Sequence, residues 1–329
     1  MLSKFNFKKY IFGINSGNFN AMALNLFHYQ SVHNTIYKKY LQLLHIIPEE
    51  IQEVRAIPFM PISFFKTNKI ETGAEQDKIV FQSSGTSKQV RSKHYVKDPD
   101  FYAALSKQIF EIQFGNLTDY IILALLPSYL ENKDSSLVFM VNHFIKMTGH
   151  PDSSFINRNS GKFVHQVYQQ RGNKKVLLLG VTYALIEFAE EHQLPLQDAM
   201  IMETGGMKGK GEERPREEVH EVLKKHFQVR EVYSEYGMTE LLSQAYSVSG
   251  GNFQVPFSMN LYTREMNDPL TLNDQKSPGG LNIIDLANID SCAFIATEDI
   301  GKINNDGTFI VSGRIDNSEI RGCNLLSIG

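Results

Sequence analysis

The stretch from Lys175 to Met202 constrains this chain more tightly than any other. Val176-Leu177-Leu178-Leu179-Gly180 is a nearly unbroken apolar run of strand length. A strand can be apolar at every position only when both of its faces are covered, as they are in a parallel sheet. The run leads into the helical pattern Tyr183-Ala184-Leu185-Ile186-Glu187-Phe188-Ala189 and then into a second apolar piece, Ala199-Met200-Ile201-Met202. Strand, helix, strand at this spacing is a βαβ unit. Tyr120 to Leu126 is another β-sized apolar run followed by a helical pattern. The fold class expected is therefore α/β, with parallel sheets flanked by helices.

At 329 residues the chain is longer than one hydrophobic core usually grows, which predicts two or three packed subdomains. Residues 20 to 47 carry Ala23, Leu24, Leu26, Phe27, Tyr37, Tyr40, Leu41 and Leu44 at roughly helical spacing, predicting an amphipathic helix pair. Ile57 to Phe65 is too Pro-rich for helix and reads as an extended entry into the body. A short strand, Ile79 to Gln82, follows; later come a helix over 216 to 227 and a strand over Gln228 to Tyr233. From about residue 250 the pattern changes to short β-like segments separated by Gly, Pro, Asn and Asp. The division expected is an α/β core over 1–249, a small β-rich subdomain of the same unit over 250–320, and a tail over 321–329.

Charge and cysteine usage exclude several function classes. Lys and Arg number 33 against 36 Asp and Glu, and no basic stripe is present to neutralise a nucleic-acid backbone, so no nucleic-acid partner is expected. The two cysteines, Cys292 and Cys323, lie far apart and in no zinc-like spacing, which fits a reducing, cytoplasmic setting. Polar residues interrupt every N-terminal apolar patch, so neither a signal-peptide core nor stable membrane insertion is expected.

Four segments concentrate the chemistry. Ser83-Ser84-Gly85-Thr86-Ser87-Lys88 sets hydroxyls, a glycine and a cation directly after a strand, supplying donors and charge for phosphate oxygens; a polar turn leaving the sheet is the plain alternative. Its spacing is not that of a Walker loop. Glu203-Thr204-Gly205-Gly206-Met207-Lys208 follows the strand at 199 to 202, where a ligand meets the carboxyl end of a parallel sheet. Tyr236-Gly237-Met238-Thr239-Glu240 places a ring, a permissive glycine, a hydroxyl and a carboxylate within five residues, enough to stack a base, orient a phosphate and hold Mg²⁺. Lastly, Thr297-Glu298-Asp299 and Gly313-Arg314-Ile315-Asp316 flank a hairpin turning at Asn304 to Gly307; Asp299 suits a ribose diol, and Arg314 a phosphate or ribose edge. Each fragment is common by itself.

In this order and at these separations, the segments resemble the signature of the adenylate-forming superfamily that contains acyl-CoA synthetases and luciferases. Ser83-Ser84-Gly85-Thr86, Ser135-Ser136-Leu137, Gly205-Gly206-Met207-Lys208 and Arg321-Gly322-Cys323-Asn324-Leu325 bring the likeness closer to the acyl-protein synthetases of the LuxE type. Two departures stand out. The phosphate loop lacks the second glycine usual in synthetases, and the mobile C-terminal domain of larger relatives, with its adenylation lysine, is expected to be absent.

The resemblance implies ATP and Mg²⁺ as cofactors and activation of a carboxylic acid, a fatty acid foremost, to an acyl-AMP. Phosphates would lie on Ser83, Ser84, Gly85, Thr86 and Lys88, and adenine against Gly205 and Gly206 near Tyr236 and Gly237. Ribose would lie on Asp299 with Arg314 beside it, and Thr239 and Glu240 would serve the α-phosphate and the metal. The acyl group would pass to a thiol, either Cys323 in the tail or that of an accepting partner such as a reductase or carrier protein. An acyl-CoA ligase of the phenylacetate type and a non-catalytic nucleotide- or acyl-binding scaffold are the alternatives. Phe139, Met140, Phe144 and Met147 read either as the lining of an acyl tunnel or as an ordinary helix face. His143 and His150 read as structural more readily than as catalysts, and Cys292 as a small buried apolar residue.

Overall fold

The computed structural model describes residues 4–74, 76–84, 90–127, 134–205, 214–274 and 277–315. The chain begins with three helices, α1 (Lys4–Ile11), α2 (Phe19–His33) and α3 (Thr35–Leu43). They are followed by a two-residue strand β1 (Met60–Pro61) and a one-turn helix α4 (Phe64–Thr67). The extended entry expected over 57–65 is thus corrected at its end. Pro61 is the last proline there, and beyond it nothing prevents Phe64 and Phe65 from turning into a helix that buries Phe65.

A separate antiparallel hairpin comes next, made of β2 (Ile79–Gln82) and β3 (Lys93–Val96). Helix α5 (Pro99–Phe114) then starts where the Asp98 carboxylate accepts the Phe101 amide and Pro99 fills a first-turn position that needs no donor.

The central sheet is built from the apolar runs. Strands β4 (Tyr120–Leu125), β6 (Lys175–Val181), β7 (Met200–Thr204) and β8 (Val232–Tyr236) are parallel neighbours, with the short β5 (Ser154–Phe155) outside β4. All six residues of β4 are buried, and so are the last six of β6, as strands covered on both faces require. The connecting helices are α6 (Ser136–Thr148), α7 (Gly161–Gln170), α8 (Thr182–His192) and α9 (Arg216–Phe227).

Strand alternation shows how the two faces are covered. Ser234 of β8 meets His220 of α9, whereas Tyr246, paired opposite Glu235 on the other face, packs against Phe110 and Phe114 of α5. Helix α9 spans the residues expected. The strand after it does not: Gln228 is a left-handed helix cap with φ 56°, so the chain turns before pairing and the strand begins at Val232. As a result Tyr236 is the last residue of a buried strand.

Beyond β8 the same sheet continues in antiparallel fashion through β9 (Ala245–Ser247), β10 (Phe253–Gln254), β11 (Met259–Arg264), β12 (Gly279–Asp285), β13 (Phe294–Ile303) and β14 (Phe309–Arg314). The spatial order is β11-β12-β13-β14-β10-β9-β8-β7-β6-β4-β5, with β1 added beside β13. The N-terminal helices buttress this half. Phe27 and Tyr37 pack on Phe294, and the buried Gln30 amide donates to the Asn288 and Ser291 carbonyls while accepting the Ala293 amide.

Candidate active site

Three of the chemistry-bearing segments leave the sheet at one edge. Gly205 follows β7, Gly237 to Glu240 follow β8, and Asp299 and Arg314 pair directly in the β13–β14 register. Because β14 and β8 are joined through β10 and β9, Arg314 and Asp299 arrive beside Tyr236. The Tyr236 hydroxyl donates to Asp299 Oδ2 at 2.7 Å, and Arg314 Nε lies 3.2 Å from Oδ1. The Tyr236 ring is packed between Phe253 and Phe309, so its hydroxyl is the part committed to the cluster. Burial pushes the Asp299 carboxyl above its ordinary value, against the lowering pull of the Tyr236 hydrogen bond and the Arg314 charge.

Glu240 is the second buried carboxylate here, only 5% exposed. Its burial raises the carboxyl pKa, opposed by a hydrogen bond from the Ser92 hydroxyl and by the charges of Arg314 and Lys66. Ser92 is also what connects Glu240 to the serine-rich segment. The Ser83 amide donates to the Ser92 carbonyl at 3.1 Å, and the Ser92 amide donates to Ser83 Oγ at 2.9 Å. His94, two residues on, reaches the Thr239 carbonyl through Nδ1 at 2.8 Å, so Nδ1 carries the hydrogen; burial lowers its pKa to about 4 and keeps the ring neutral.

The backbone at 239–243 is clamped from below. Asn288 Nδ2 donates to the Glu240 carbonyl at 2.8 Å, and Asp285 accepts the Leu242 and Ser243 amides and the Ser243 hydroxyl.

The strand end at Gly205 is held equally firmly. Glu203, just before it, accepts the Thr182 hydroxyl at 2.7 Å on Oε2, while Arg216 Nε and His220 Nε2 lie 3.3 and 3.8 Å from Oε1. Burial would raise its carboxyl, but His220, Arg216, Ser234 and Thr182 together hold it below the ordinary value. Thr204 Oγ1 hydrogen-bonds the Glu235 carboxylate beneath Gly237, where a Cβ would sit 2.4 Å from Glu235 Oε1. Gly205 itself has φ +74°, a backbone conformation that side chains resist.

Contacts thus join Tyr236, Asp299 and Arg314 in one group and Ser83, Ser92 and Glu240 in another, with the Arg314 charge felt by Glu240, Gly205 and Gly237 following neighbouring strands, and Ser84 exposed beside Ser83. Gly85, Thr86, Lys88, Gly206 and Cys323 lie outside the described residues. Cys292 is fully buried, its thiol pushed up to about 12 by burial. Of the four α6 residues read as tunnel lining or helix face, Met140 and Phe144 are buried in the core and Phe139 stacks on Tyr102, while Met147 is 38% exposed, as an ordinary helix face would have them.

Two contributors had no signature in the sequence, Ser92 and Lys66. Lys66 follows the Pro-rich entry and lies 3.7 Å from Glu298, which also faces Arg314 at 3.8 Å. Among the described residues no group of three or more His, Cys, Asp or Glu could hold a metal. Glu240 is a single carboxylate, a donor set that suits a Mg²⁺ brought in by the phosphates of a nucleotide.

No protein-family model matches the chain, and no curated protein does. Solved structures do. A 2-hydroxyisobutyryl-CoA ligase in complex with 2-HIB-AMP and CoA, in its thioesterification state, superposes with a TM-score of 0.65 at 14% identity, over 90% of this chain and 67% of that one. An open conformation of the same ligase gives 0.64 at 13% identity. The fold is that of the adenylate-forming enzymes. ATP-bound MatB from Rhodopseudomonas palustris matches with a TM-score of 0.54 at 12% identity over 73% of this chain, which spans about half (49%) of MatB's length. Among the described residues no helix is long and apolar enough to cross a membrane.

Proposed function

We propose that this chain is an AMP-forming ligase that activates a carboxylic acid with ATP. The observation that carries the reading is the junction of two buried carboxylates on one sheet edge: Asp299, fixed by Tyr236 and Arg314, and Glu240, hydrogen-bonded to Ser92 of the serine-rich hairpin. They divide the work. Asp299 accepts hydrogen bonds from the ribose diol, and Arg314 beside it carries a positive charge to the same locus. Glu240 and Thr239 face the α-phosphate, with Ser83 and Ser84 entering the phosphate loop. Bound Mg²⁺ supplies charge neutralisation at the phosphates, and Glu240 is the residue that would hold it.

Adenylation needs in-line placement and charge stabilisation more than a general base, because the attacking carboxylate is already ionised. Its oxygen bonds to the α-phosphorus, the bond to the β-phosphate oxygen breaks, and pyrophosphate leaves with the electron pair. Carboxylate-dependent ATP–pyrophosphate exchange tests this step. It should be measurable for the natural chain with the right acid and strongly reduced in Glu240→Gln; no exchange with any acid across aliphatic and aromatic panels would refute it.

The acid we place foremost is a fatty acid, and the acyl acceptor a thiol in the cytoplasm, Cys323 of the tail or that of a protein partner, as in the acyl-protein synthetases of the LuxE type. A radiolabelled acid retained by denatured protein in hydroxylamine-sensitive form, and lost in Cys323→Ser, would support the self-acylated intermediate. Release of label as a coenzyme A thioester would favour the CoA-ligase reading instead, the chemistry of the ligase crystallised with CoA.

A further inference from the structure

Arg264, the last residue of β11, is only 6% exposed, yet it makes no ion pair among the described residues. A guanidinium taken out of water without a carboxylate is costly unless other acceptors receive it. Three do. Nη1 donates to the Leu281 carbonyl at 3.0 Å and to Asn282 Oδ1 at 2.9 Å, and Nη2 donates to the Thr297 carbonyl at 2.6 Å. Burial lowers the guanidinium pKa, opposed by Asp299 and by Tyr40 of α3.

The side chain reaches these acceptors by crossing β12. Arg264 pairs with Gly280 and Gly280 with Ile300, so the three form one row across β11, β12 and β13. A Cβ on Gly280 would sit 2.6 Å from the guanidinium carbon, and the missing side chain is what leaves the passage open. The β12–β13 register shifts between Gly280 and Asn282, an irregularity of the kind that re-aims side chains. At that point the Leu281 carbonyl accepts both Arg264 Nη1 and the Thr297 hydroxyl, the latter at 2.8 Å. The Thr297 hydroxyl oxygen in turn accepts the Asp299 amide at 3.1 Å. Arg264 therefore grips Thr297 by its carbonyl and, through Leu281, by its hydroxyl, two residues before the Asp299 carboxylate.

Strand order adds an electrostatic consequence. Strand β13 lies between β12 and β14, so Asp299 meets Arg314 from the β14 side and feels the charge of Arg264 from the β12 side. We propose that Arg264 is a positioning residue for Asp299: threaded past Gly280, it fixes the Thr297–Asp299 segment and holds a second positive charge behind the carboxylate that receives the ribose. The proposal rests on the adenylation reading, which gives Asp299 that task.

Equilibrium binding of ATP and of 2′,3′-dideoxy-ATP to the whole chain, without acid, separates positioning from bulk structure. Arg264→Met should weaken ATP about tenfold and leave the dideoxy nucleotide, which offers Asp299 nothing to receive, unchanged. Charge and fork are separated by Arg264→Lys, which should keep the natural acid limb of ATP binding while Arg264→Met moves that limb to higher pH. Asp299 is also faced by Tyr236 from β8, by Arg314 from β14 and by Glu298 on its own strand; all three are common to these variants, so a difference between profiles reports the Arg264 charge. Thr297→Val keeps the guanidinium but removes the hydroxyl that receives the Asp299 amide. It should show the same diol-selective loss with the natural acid limb, and it reads the path where the Met variant does not fold. Equal losses for both nucleotides, or no loss for either, would overturn the assignment of Arg264, while pyrophosphate exchange by the natural chain would leave adenylation standing. A natural chain indifferent to the diol would overturn Asp299 as ribose acceptor and Arg264 with it. Diol-selective losses in a chain without exchange activity would keep Arg264 and sink adenylation.

Discussion

Removing one hydroxyl, in Tyr236→Phe, should both destabilise the protein and change how it responds to pH. The lost bond is a 2.7 Å donation to Asp299, made where Tyr236 and Asp299 are each 8% exposed. A hydrogen bond to a charged group contributes about 1.5–3 kcal/mol. With 329 residues and about 2.1 cal/mol/K of unfolding entropy per residue, the melting entropy is about 0.7 kcal/mol/K, so the thermal midpoint should fall by about 2–4 °C.

The pH dependence of that loss follows from Asp299. Burial already lifts its folded pKa above the unfolded one, so its contribution to stability is fully present below the unfolded value and is lost as pH rises through the folded value. Deleting the Tyr236 donor removes one of the influences holding the pKa down and lifts it further. The deficit of the variant should therefore be largest at neutral pH and shrink as the solution is made acidic. ATP affinity should follow the same shift, its acid limb moving to higher pH because the carboxylate that receives the ribose is harder to ionise. Scanning calorimetry and equilibrium ATP binding from acid to neutral pH read both effects. A variant with the natural midpoint at neutral pH and an unshifted binding profile would refute the assignment of Asp299 as a charged, Tyr236-supported ribose acceptor.

Glu240→Gln should reduce ATP–pyrophosphate exchange by about 10²–10³-fold, the usual cost of deleting one preorganised electrostatic group, yet raise the thermal midpoint at neutral pH, since burial disfavours this carboxylate's charge; a lower midpoint would show that Glu240 is structural. His94, depressed to about 4 from 6.5, takes up its proton more readily when unfolded, so its contribution is present above pH 6.5 and is lost as pH falls toward 4, by about 3 kcal/mol in all. Urea unfolding of His94→Gln should show a shallower decline over that window than the natural chain, and parallel declines would exclude His94 as the cause. Gly301→Ala would put a Cβ 2.3 Å from the Ile310 carbonyl, prising β14 from β13; we expect a loss of about 1–3 kcal/mol together with weakened ATP binding, because Asp299 and Arg314 face each other across that ladder. Normal stability and affinity in this variant would show that the ladder tolerates the strain.

What was legible in the sequence tracks how local its cause is. The parallel strands could be read because a strand covered on both faces writes its environment directly into composition, as Val176 to Leu179 do. Helix α9 could be placed to the residue because Pro215, the first-turn Glu217 and Glu218, and the last-turn Lys224, Lys225 and His226 mark its ends. The strand after it was misplaced by four residues at its start because Gln228 takes a left-handed conformation that its side chain does not announce. Helix α4 was missed because Pro58 and Pro61 dominate the segment before it, whereas helicity begins only beyond them.

The site divides along the same line. Tyr236-Gly237-Met238-Thr239-Glu240 and Thr297-Glu298-Asp299 are local strings and stand out as such, but what each residue does depends on strand order, which periodicity does not encode. Asp299 and Arg314 face Tyr236 only because β14 is followed in space by β10, β9 and β8. Had the antiparallel strands formed a sheet of their own, the same strings would lie on separate bodies with no shared chemistry. Ser92 and Lys66 illustrate the converse. Neither belongs to a string worth noticing, yet the hairpin register, continued one pair past Gln82 and Lys93, sets Ser92 opposite Ser83 and within reach of Glu240, and one turn of helix carries Lys66 to Glu298. Both buried carboxylates gain their cationic neighbours from elements remote in sequence, Arg314 and Lys66. The downward pull of these cations on the two carboxyl pKa values therefore depends on tertiary assembly, and anything that loosens β14 or α4 should raise those values further before it unfolds the core.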